Sequence, residues 1–174
     1  AWEGLPEAIR TGLPVRPPNM YQADERETEI FINAMDSLVK ARGDAELLAD
    51  VLDCSKVESV LDVGSGPASY PIALCERFAH LRVTIVDLPG TLKITEGFVN
   101  RANLSERIEL IAGDYRSDPI PGGYDAIFLS NIIHGENHDR NAGLMTKLAA
   151  NLKPDGRLII KDHILNVDRC QPAV

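Results

Sequence analysis

The sequence predicts an α/β fold in which a parallel sheet is covered by helices on both faces. Three observations predict it: apolar segments alternate with amphipathic ones from residue 57 onward, the apolar segments are almost continuous, and a glycine-rich turn follows the first of them. Strands buried on both faces are typically continuous apolar runs, whereas half-exposed strands alternate apolar and polar residues. A glycine-rich turn between a strand and a helix is typical of sheets that bind nucleotides at their carboxyl edge.

The apolar runs predict five strands, and residues at helical spacing predict the helices between them. The predicted strands are Val57–Val63, Leu81–Asp87, Arg107–Ala112, Tyr124–Ser130 and Arg157–Ile164. The predicted helices are Pro67–Phe78, Thr91–Ala102 and Asp139–Asn151. Proline is tolerated in the first turn of a helix, which favours a start at Pro67. The stretch from Lys153 to Gly156 predicts a turn before the last strand.

Two helices and a linker are predicted ahead of the sheet. Residues 1–22 are rich in proline and glycine, which is typical of a linker, with a short helix around Leu5–Arg10. Asp24 is a start signal and Gly43 a stop signal for the first helix, and Asp44–Leu52 predicts the second. We therefore expect residues 23–174 to form one domain.

Composition and charge limit the functions that the chain can have. It carries 18 Lys and Arg against 26 Asp and Glu, a formal net charge of -8, and no basic run, so we expect no nucleic acid partner. No apolar run approaches the roughly 18 residues of a membrane span, so we expect no membrane partner. Cys54, Cys75 and Cys170 are widely separated and form no C-x-x-C pair, which favours reduced thiols and a cytoplasmic protein. No cluster of carboxylates can be placed beside a substrate, so we predict no metal.

The glycine turn lies in VLDVGSGPASY, residues 60–70. Gly64 and Gly66 allow the backbone to bend and a ligand to approach without a Cβ atom in the way. A dinucleotide fingerprint would carry a third glycine where Ser69 stands. Asp62, just before the turn, would repel a pyrophosphate and attract an ammonium group. The turn therefore favours a nucleotide with a positively charged amino acid end over NAD.

Two more acidic positions follow the second and third strands. Asp87 stands about 20 residues beyond the first glycine, the usual place for the carboxylate that binds ribose hydroxyls. Gly113, Asp114 and Tyr115 follow the third strand, where the carboxylate can accept from an adenine amino group and the phenol ring can stack beside adenine. A helix-capping Asp and a plain Gly-Asp turn are the structural alternatives.

These motifs, in this order, resemble the class I S-adenosylmethionine-dependent methyltransferases. Among them they look most like the small-molecule O-methyltransferases typified by plant caffeate and hydroxyindole enzymes and by bacterial polyketide methyltransferases. The resemblance covers most of Met20–Leu165, and its stretches are LDVGSGPAS, TIVDLPG, IAGDY, DAIFLSNIIHGEN and LKPDGRLIIKDHIL. It implies a Rossmann-like sheet in the strand order 3-2-1-4-5, S-adenosylmethionine as cofactor and S-adenosylhomocysteine as product.

The resemblance also implies roles for individual residues. Those that would contact the cofactor are Asp62, Gly64, Ser65, Gly66, Asp87, Leu88, Gly113, Asp114, Tyr115 and Ser130. Met35, Asn131 and His134 would face the substrate. His134 matches the general base of the family and Asp162 an acid that supports it. A neutral imidazole suits the proton of a phenolic hydroxyl, because its pKa lies near neutral pH.

Two departures from the family pattern affect the predicted function. Gly135 and Glu136 stand where the family usually has Asp-Trp after the histidine, so the acceptor stays open. The family's N-terminal dimerisation domain and its final helix and antiparallel strand pair are missing, so we expect an incomplete substrate pocket here and a homodimer of the full-length protein. We expect methyl transfer to a hydroxyl of a small aromatic or polyketide molecule. The alternatives are C- or N-methylation, an NAD(P)-dependent oxidoreductase, and a cofactor-binding fragment without catalysis.

Overall fold

The computed structural model describes residues 4–13, 15, 24–164 and 166, and it contains one sheet of five parallel strands. The strands are β1 (Ser59–Val63), β2 (Arg82–Asp87), β3 (Ile108–Ala112), β4 (Tyr124–Ser130) and β5 (Leu152–Lys161). The helices are α1 (Leu5–Thr11), α2 (Glu25–Arg42), α3 (Asp44–Val51), α4 (Ser69–Arg77), α5 (Pro89–Arg101) and α6 (His138–Ala149), with a 3-10 turn at Ile133–Gly135. The order β3-β2-β1-β4-β5 confirms the predicted fold class.

Both faces of the sheet are buried, each by its own cluster of apolar side chains. On one face Ile85 and Phe128 pack with residues of α4 and α5 such as Leu74. On the other face Leu61 packs with Leu148 of α6. Successive residues of a strand point to opposite faces, and here each face is covered, so almost every position must be apolar. This explains the continuous apolar runs of the central strands.

The strand order creates a crevice at the carboxyl edge of the sheet. β1 pairs with β2 on one side and with β4 on the other. The chain therefore leaves β1 in one direction towards β3 and returns to its other side with β4. At such a switch point the connections diverge, and the crevice between them is where ligands bind in open α/β sheets.

The predicted helix signals ahead of the sheet are found in the structure. The Asp24 side chain accepts hydrogen bonds from the backbone N–H groups of Arg26 and Glu27, and so caps the start of α2. Gly43 ends α2 with a left-handed φ of 65°. This turn joins α2 to α3, and residues of α2 line the cavity described below.

Several predicted boundaries are wrong by a few residues, among them the start of α5, which is Pro89 and not Thr91, and the end of α6, which is Ala149 and not Asn151. Helix α4 begins at Ser69 and not at Pro67, because Ala68 has a left-handed φ of 61° that extends the turn. Strand β1 begins at Ser59, two residues later than predicted. Strand β5 begins at Leu152 and ends at Lys161, because the predicted turn is an irregularity within the pairing of β4 and β5, with Asp155 at φ 64°.

Other predictions concern the cysteines, the linker and the membrane. Cys54 and Cys75 are buried free thiols, and burial raises the pKa of Cys75 to about 11. Cys170 and most of the predicted linker, residues 1–3, 14 and 16–22, lie outside the described residues. In the part of the chain that the structure describes, no helix is both long and apolar enough for a bilayer span.

Candidate active site

A cavity opens at the carboxyl ends of β1, β2 and β4, and α2 forms one of its walls. It brings together residues that are far apart in the sequence. Its lining includes every residue predicted to contact the cofactor, namely Asp62, Gly64, Ser65, Gly66, Asp87, Leu88, Gly113, Asp114, Tyr115 and Ser130. Met35 and Asn131, which were expected to face the substrate, line the same cavity.

The glycine turn is held by hydrogen bonds with β2 and with helix α5. Gly64 has φ 72°, and a Cβ atom added there would lie 2.4 Å from Cδ1 of Ile132, so a side chain at this position would strain the backbone and displace Ile132. The Gly64 N–H donates to the Val86 carbonyl at 2.9 Å. The hydroxyl of Thr95 donates to the Gly66 carbonyl at 2.6 Å. The turn is therefore fixed before any ligand arrives.

Asp62 is the most buried carboxylate of this cavity, with 2% of its surface exposed. Its Oδ2 atom has no hydrogen-bond partner among the described residues. Burial raises the pKa of Asp62 to about 7; the nearby Ser65 hydroxyl opposes this rise and the charge of Asp87 adds to it. An unpaired buried carboxylate oxygen is unfavourable unless a donor meets it. The site therefore suits a ligand that brings a cationic N–H group.

Asp87 is anchored by the backbone around it. Its Oδ2 accepts from the Gly66 N–H at 2.8 Å and its Oδ1 from the Leu88 N–H at 2.7 Å. Burial raises the pKa of Asp87, while these two N–H groups and the Thr91 hydroxyl oppose the rise. A carboxylate offers about four lone-pair positions, so capacity for a ligand hydroxyl remains.

The segment after β3 forms the opposite wall. Asp114 Oδ1 accepts from the Arg116 N–H at 2.9 Å, which closes a tight turn. The ring of Tyr115 lies under the Arg116 guanidinium, 5.2 Å from the ring centroid, and its hydroxyl donates to Oε1 of Glu136 at 3.3 Å. A half-buried ring at the cavity wall provides a flat surface for another ring.

His134 and Asp162 are hydrogen-bonded to each other, although neither lines the cavity itself. His134 Nδ1 lies 2.8 Å from Asp162 Oδ1, and the His134 backbone N–H donates to Oδ2 at 3.3 Å. Burial of Asp162 by itself would raise its pKa, but the hydrogen bonds from His134 and from the His163 N–H outweigh it and lower the pKa. An ionised carboxylate at Nδ1 favours the tautomer with its proton there, which leaves Nε2 as an acceptor.

The side chain of Asp162 is buried and that of His134 is accessible to solvent, as expected for an acid that supports a base which a substrate can reach. The Asp162 side chain is 1% exposed, whereas that of His134 is 54% exposed. Asn131 and Ile132, which precede His134 in the same segment, line the cavity, so His134 lies in the segment that continues from the cavity wall. The structure therefore brings the two residues together as the resemblance implied.

The cavity also contains residues that the sequence did not single out. Lys161 lines it, with its Nζ 3.0 Å from Oδ2 of Asp44 and 5.6 Å from the centroid of the Tyr70 ring. A lysine at the end of an apolar strand could have signalled this, because lysines are rarely buried unless they are paired. No group of three or more His, Cys, Asp and Glu suitable for a metal is found in the described parts of the chain, and the metal-free expectation stays a prediction.

The parallel sheet, the glycine turn and the acidic residues at three strand ends define a nucleotide-binding α/β protein. A sequence model of the O-methyltransferase domain family matches residues 11–173, so the chain belongs to this family. This confirms the resemblance found in the sequence, together with the S-adenosylmethionine dependence that characterises the family.

Individual relatives agree with this membership. The 3-hydroxy-5-methyl-1-naphthoate 3-O-methyltransferase of Streptomyces sahachiroi is 30% identical over 178 residues, which cover 99% of this chain and 50% of that protein. The L-tyrosine C(3)-methyltransferase of Streptomyces lavendulae is 33% identical over 127 residues, 73% of this chain and 35% of that protein. The solved structure of the mitomycin 7-O-methyltransferase MmcR has a TM-score of 0.87 and 26% identity, with 99% of this chain and 51% of that one covered. The chain thus spans about half the length, or less, of these relatives.

Proposed function

We propose that the protein transfers the methyl group of S-adenosylmethionine to a hydroxyl of a small aromatic or polyketide molecule, without a metal. The observation that carries the proposal is the His134–Asp162 pair, whose histidine lies in the segment that continues from the wall of a cavity lined by a buried, unpaired carboxylate. S-adenosylmethionine supplies a methyl group that its sulfonium has already activated, so the protein has to hold the reactants and remove one proton.

The cavity residues account for the binding of that cofactor. Asp62 would accept from the ammonium group of the methionine part, which would relieve the unfavourable burial of its carboxylate. Asp87 would accept from ribose hydroxyls while its backbone partners hold it still. Leu88, Asp114 and Tyr115 would enclose the adenine, and the buried Ser130 hydroxyl, whose oxygen has no hydrogen-bond partner in the described parts of the chain, would contact the methionine part.

His134 would act as the general base. The acceptor oxygen forms its bond to the methyl carbon as the carbon–sulfur bond breaks, and the hydroxyl proton moves to Nε2 of His134. The ionised Asp162 keeps the other proton on Nδ1 and stabilises the imidazolium that results. Met35 and Asn131 would border the acceptor.

Calorimetric titration with S-adenosylhomocysteine, with NAD as the parallel control, tests the cofactor assignment. We expect micromolar binding of the first and none of the second. Binding of NAD alone would contradict the proposal.

The base is tested in the full-length protein with His134→Ala. We expect a large loss of turnover with unchanged affinity for S-adenosylhomocysteine, whereas unchanged turnover would remove His134 from the mechanism. Identification of the methylated atom distinguishes transfer to oxygen from transfer to carbon. Transfer to carbon is the second candidate, because one relative is named as an L-tyrosine C(3)-methyltransferase.

Features of the whole protein stay proposals, because the chain covers about half of its relatives. We propose that residues 1–22 link a dimerisation domain to the cofactor-binding domain of residues 23–174, and that the full-length protein is a cytoplasmic homodimer. Size-exclusion chromatography of the full-length protein, with light scattering, tests the dimer.

A further inference from the structure

We propose that Glu136 is a positioning residue that couples the adenine side of the cavity to the segment that bears His134, an inference that rests on the function proposed above. The His134 segment is defined here as residues 131–137. Glu136 stands two residues after the histidine, where the family usually has a tryptophan, and its side chain points back to the wall of the cofactor cavity.

The Glu136 carboxylate is the buried centre of a hydrogen-bond network whose two arginine members extend to solvent. Its side chain is 3% exposed. Oε1 accepts from the Tyr115 hydroxyl at 3.3 Å and from Nε of Arg116 at 2.5 Å, and Oε2 accepts from Nη1 of Arg140 at 3.3 Å. Burial by itself would raise the pKa of Glu136, but Arg116, Arg140 and Tyr115 outweigh it and lower the pKa. The residue is therefore a buried anion that joins three separate elements.

One end of the network belongs to the cavity. Tyr115 and Arg116 both line it, and the guanidinium of Arg116 lies over the Tyr115 ring. A ring packed against Tyr115 would restrict both side chains. Each of them is already tied to the same oxygen atom of Glu136, so the restriction would pass to that carboxylate.

The other end of the network is the backbone of the His134 segment, which pairs with the end of β5 where the Asn131 N–H donates to the Lys161 carbonyl at 2.9 Å. Asn131 has a left-handed φ of 56°, and the N–H groups of Gly135 and Glu136 make hydrogen bonds of 3.1 and 3.3 Å within the 3-10 turn. The side chain of His134 is mostly exposed. Beyond the contact with β5, side-chain anchors hold the segment: Asp162 at the ring and at the N–H of His134, Asn141 at the Ile133 carbonyl, and Glu136.

These contacts give Glu136 a role in the reaction without contact with a reactant. Cofactor bound against Tyr115 and Arg116 would order the His134 segment through Glu136, and the base would be placed once the cofactor is present. Glu136→Gln keeps the size of the side chain but removes its charge, so that the two arginines lose the anion between them.

Hydrogen-exchange mass spectrometry of the protein, with and without saturating S-adenosylhomocysteine, tests the coupling. In the wild type we expect the ligand to slow exchange in residues 113–117 and also in residues 132–137. In Glu136→Gln we expect protection of 113–117 to remain and protection of 132–137 to be lost. Protection of both segments in the variant would overturn the inference.

Asp125→Asn is the matched control. Asp125 is another partly buried carboxylate tied to a cation, with Nζ of Lys153 at 2.8 Å and the N–H groups of Glu58 and Ser59 as further donors. It lies at the start of β4, the end of the strand away from the cavity. We expect this variant to lose stability and to keep the wild-type protection pattern in both segments.

A second readout separates positioning from a merely structural role. We expect Glu136→Gln to weaken the binding of S-adenosylhomocysteine and of 5′-methylthioadenosine by the same factor, because both ligands carry the adenosine part. The expected factor is roughly tenfold, the effect of weakening one charged hydrogen bond. The loss should be non-additive with that of Tyr115→Phe, because both changes weaken the same contact between the Tyr115 hydroxyl and the side chain at position 136. Additive losses would contradict the coupling. Failure of the wild-type protein to bind either ligand would overturn the proposed function, and this inference with it.

Discussion

The Asp62 carboxylate predicts a conflict between stability and cofactor binding. Its pKa is raised to about 7 by burial, against the ordinary 3.8. One pKa unit corresponds to about 1.4 kcal/mol, so ionised Asp62 costs the unliganded protein on the order of 4 kcal/mol above pH 7. The sign follows from the raised pKa of an acid: the folded state holds the proton more tightly, and its stability falls as pH rises from 3.8 to 7.

Replacing Asp62 by Asn removes this dependence. Between pH 5 and pH 8 the wild type should lose roughly 3 kcal/mol of stability relative to Asp62→Asn, because two pKa units of that range lie below pH 7. For a chain of this size the difference in Tm between variant and wild type should therefore grow by about 5 to 11 °C over the same range. Any fixed cost of the buried amide cancels in this comparison.

Binding should show the opposite preference. An ammonium group requires the ionised carboxylate, so the affinity for S-adenosylhomocysteine should rise up to about 25-fold from pH 5.5 to 7.5 in the wild type. Asp62→Asn should bind weakly at every pH. The assays are thermal unfolding of the unliganded protein and calorimetric titration, both across this pH range. A pH-independent affinity in the wild type, or no growing difference in Tm, would refute the assignment of Asp62.

Three further substitutions test the turn and the base. Gly64→Ala should lower the free energy of unfolding by more than the about 1 to 2 kcal/mol of an alanine in a left-handed conformation, because its Cβ would also meet Ile132. Gly43→Ala is the control, since Gly43 has a similar φ and open space around it. Equal losses of stability in urea unfolding would exclude the clash. Thr95→Val should lower the free energy of unfolding by about 1 to 3 kcal/mol, because the Gly66 carbonyl loses its donor. The variant should also bind S-adenosylhomocysteine more weakly. A wild-type affinity would show that the turn keeps its shape without this hydrogen bond. Asp162→Asn should lower kcat of the full-length protein by roughly 10²-fold or more with an unchanged cofactor KM, because the imidazole loses its anionic partner. An unaltered kcat in the variant would contradict the pairing.

The sequence by itself determined the strands and their class of sheet. Mostly apolar runs such as β2 and β4 arise because a strand covered on both faces has no polar side. The requirement for apolar residues therefore applies along the whole strand and can be recognised in the sequence. Gly64 could also be predicted, since its left-handed backbone favours glycine and a Cβ atom there would meet Ile132. The turn and the acids at the strand ends could be read because the carboxyl ends of parallel strands meet at one edge.

Element boundaries depended on details that residue types do not encode. Ala68 takes a left-handed conformation although alanine favours helix, so α4 starts later than Pro67 suggested. The turn before β5 is absorbed into the strand pair as an irregularity. In both places the packing of neighbouring elements overrides local preference, and that packing is long-range information.

The tertiary structure alone decided which polar residues meet. Glu136 and Tyr115 are separated in the sequence by the whole of β4, and nothing in either segment indicates that the carboxylate turns back to the ring. Lys161 and Asp44 likewise meet only because β5 ends where α3 begins. Burial patterns repeat along the chain and can be read from it, whereas a hydrogen bond between distant side chains depends on the positions of single atoms, which the folded chain alone fixes.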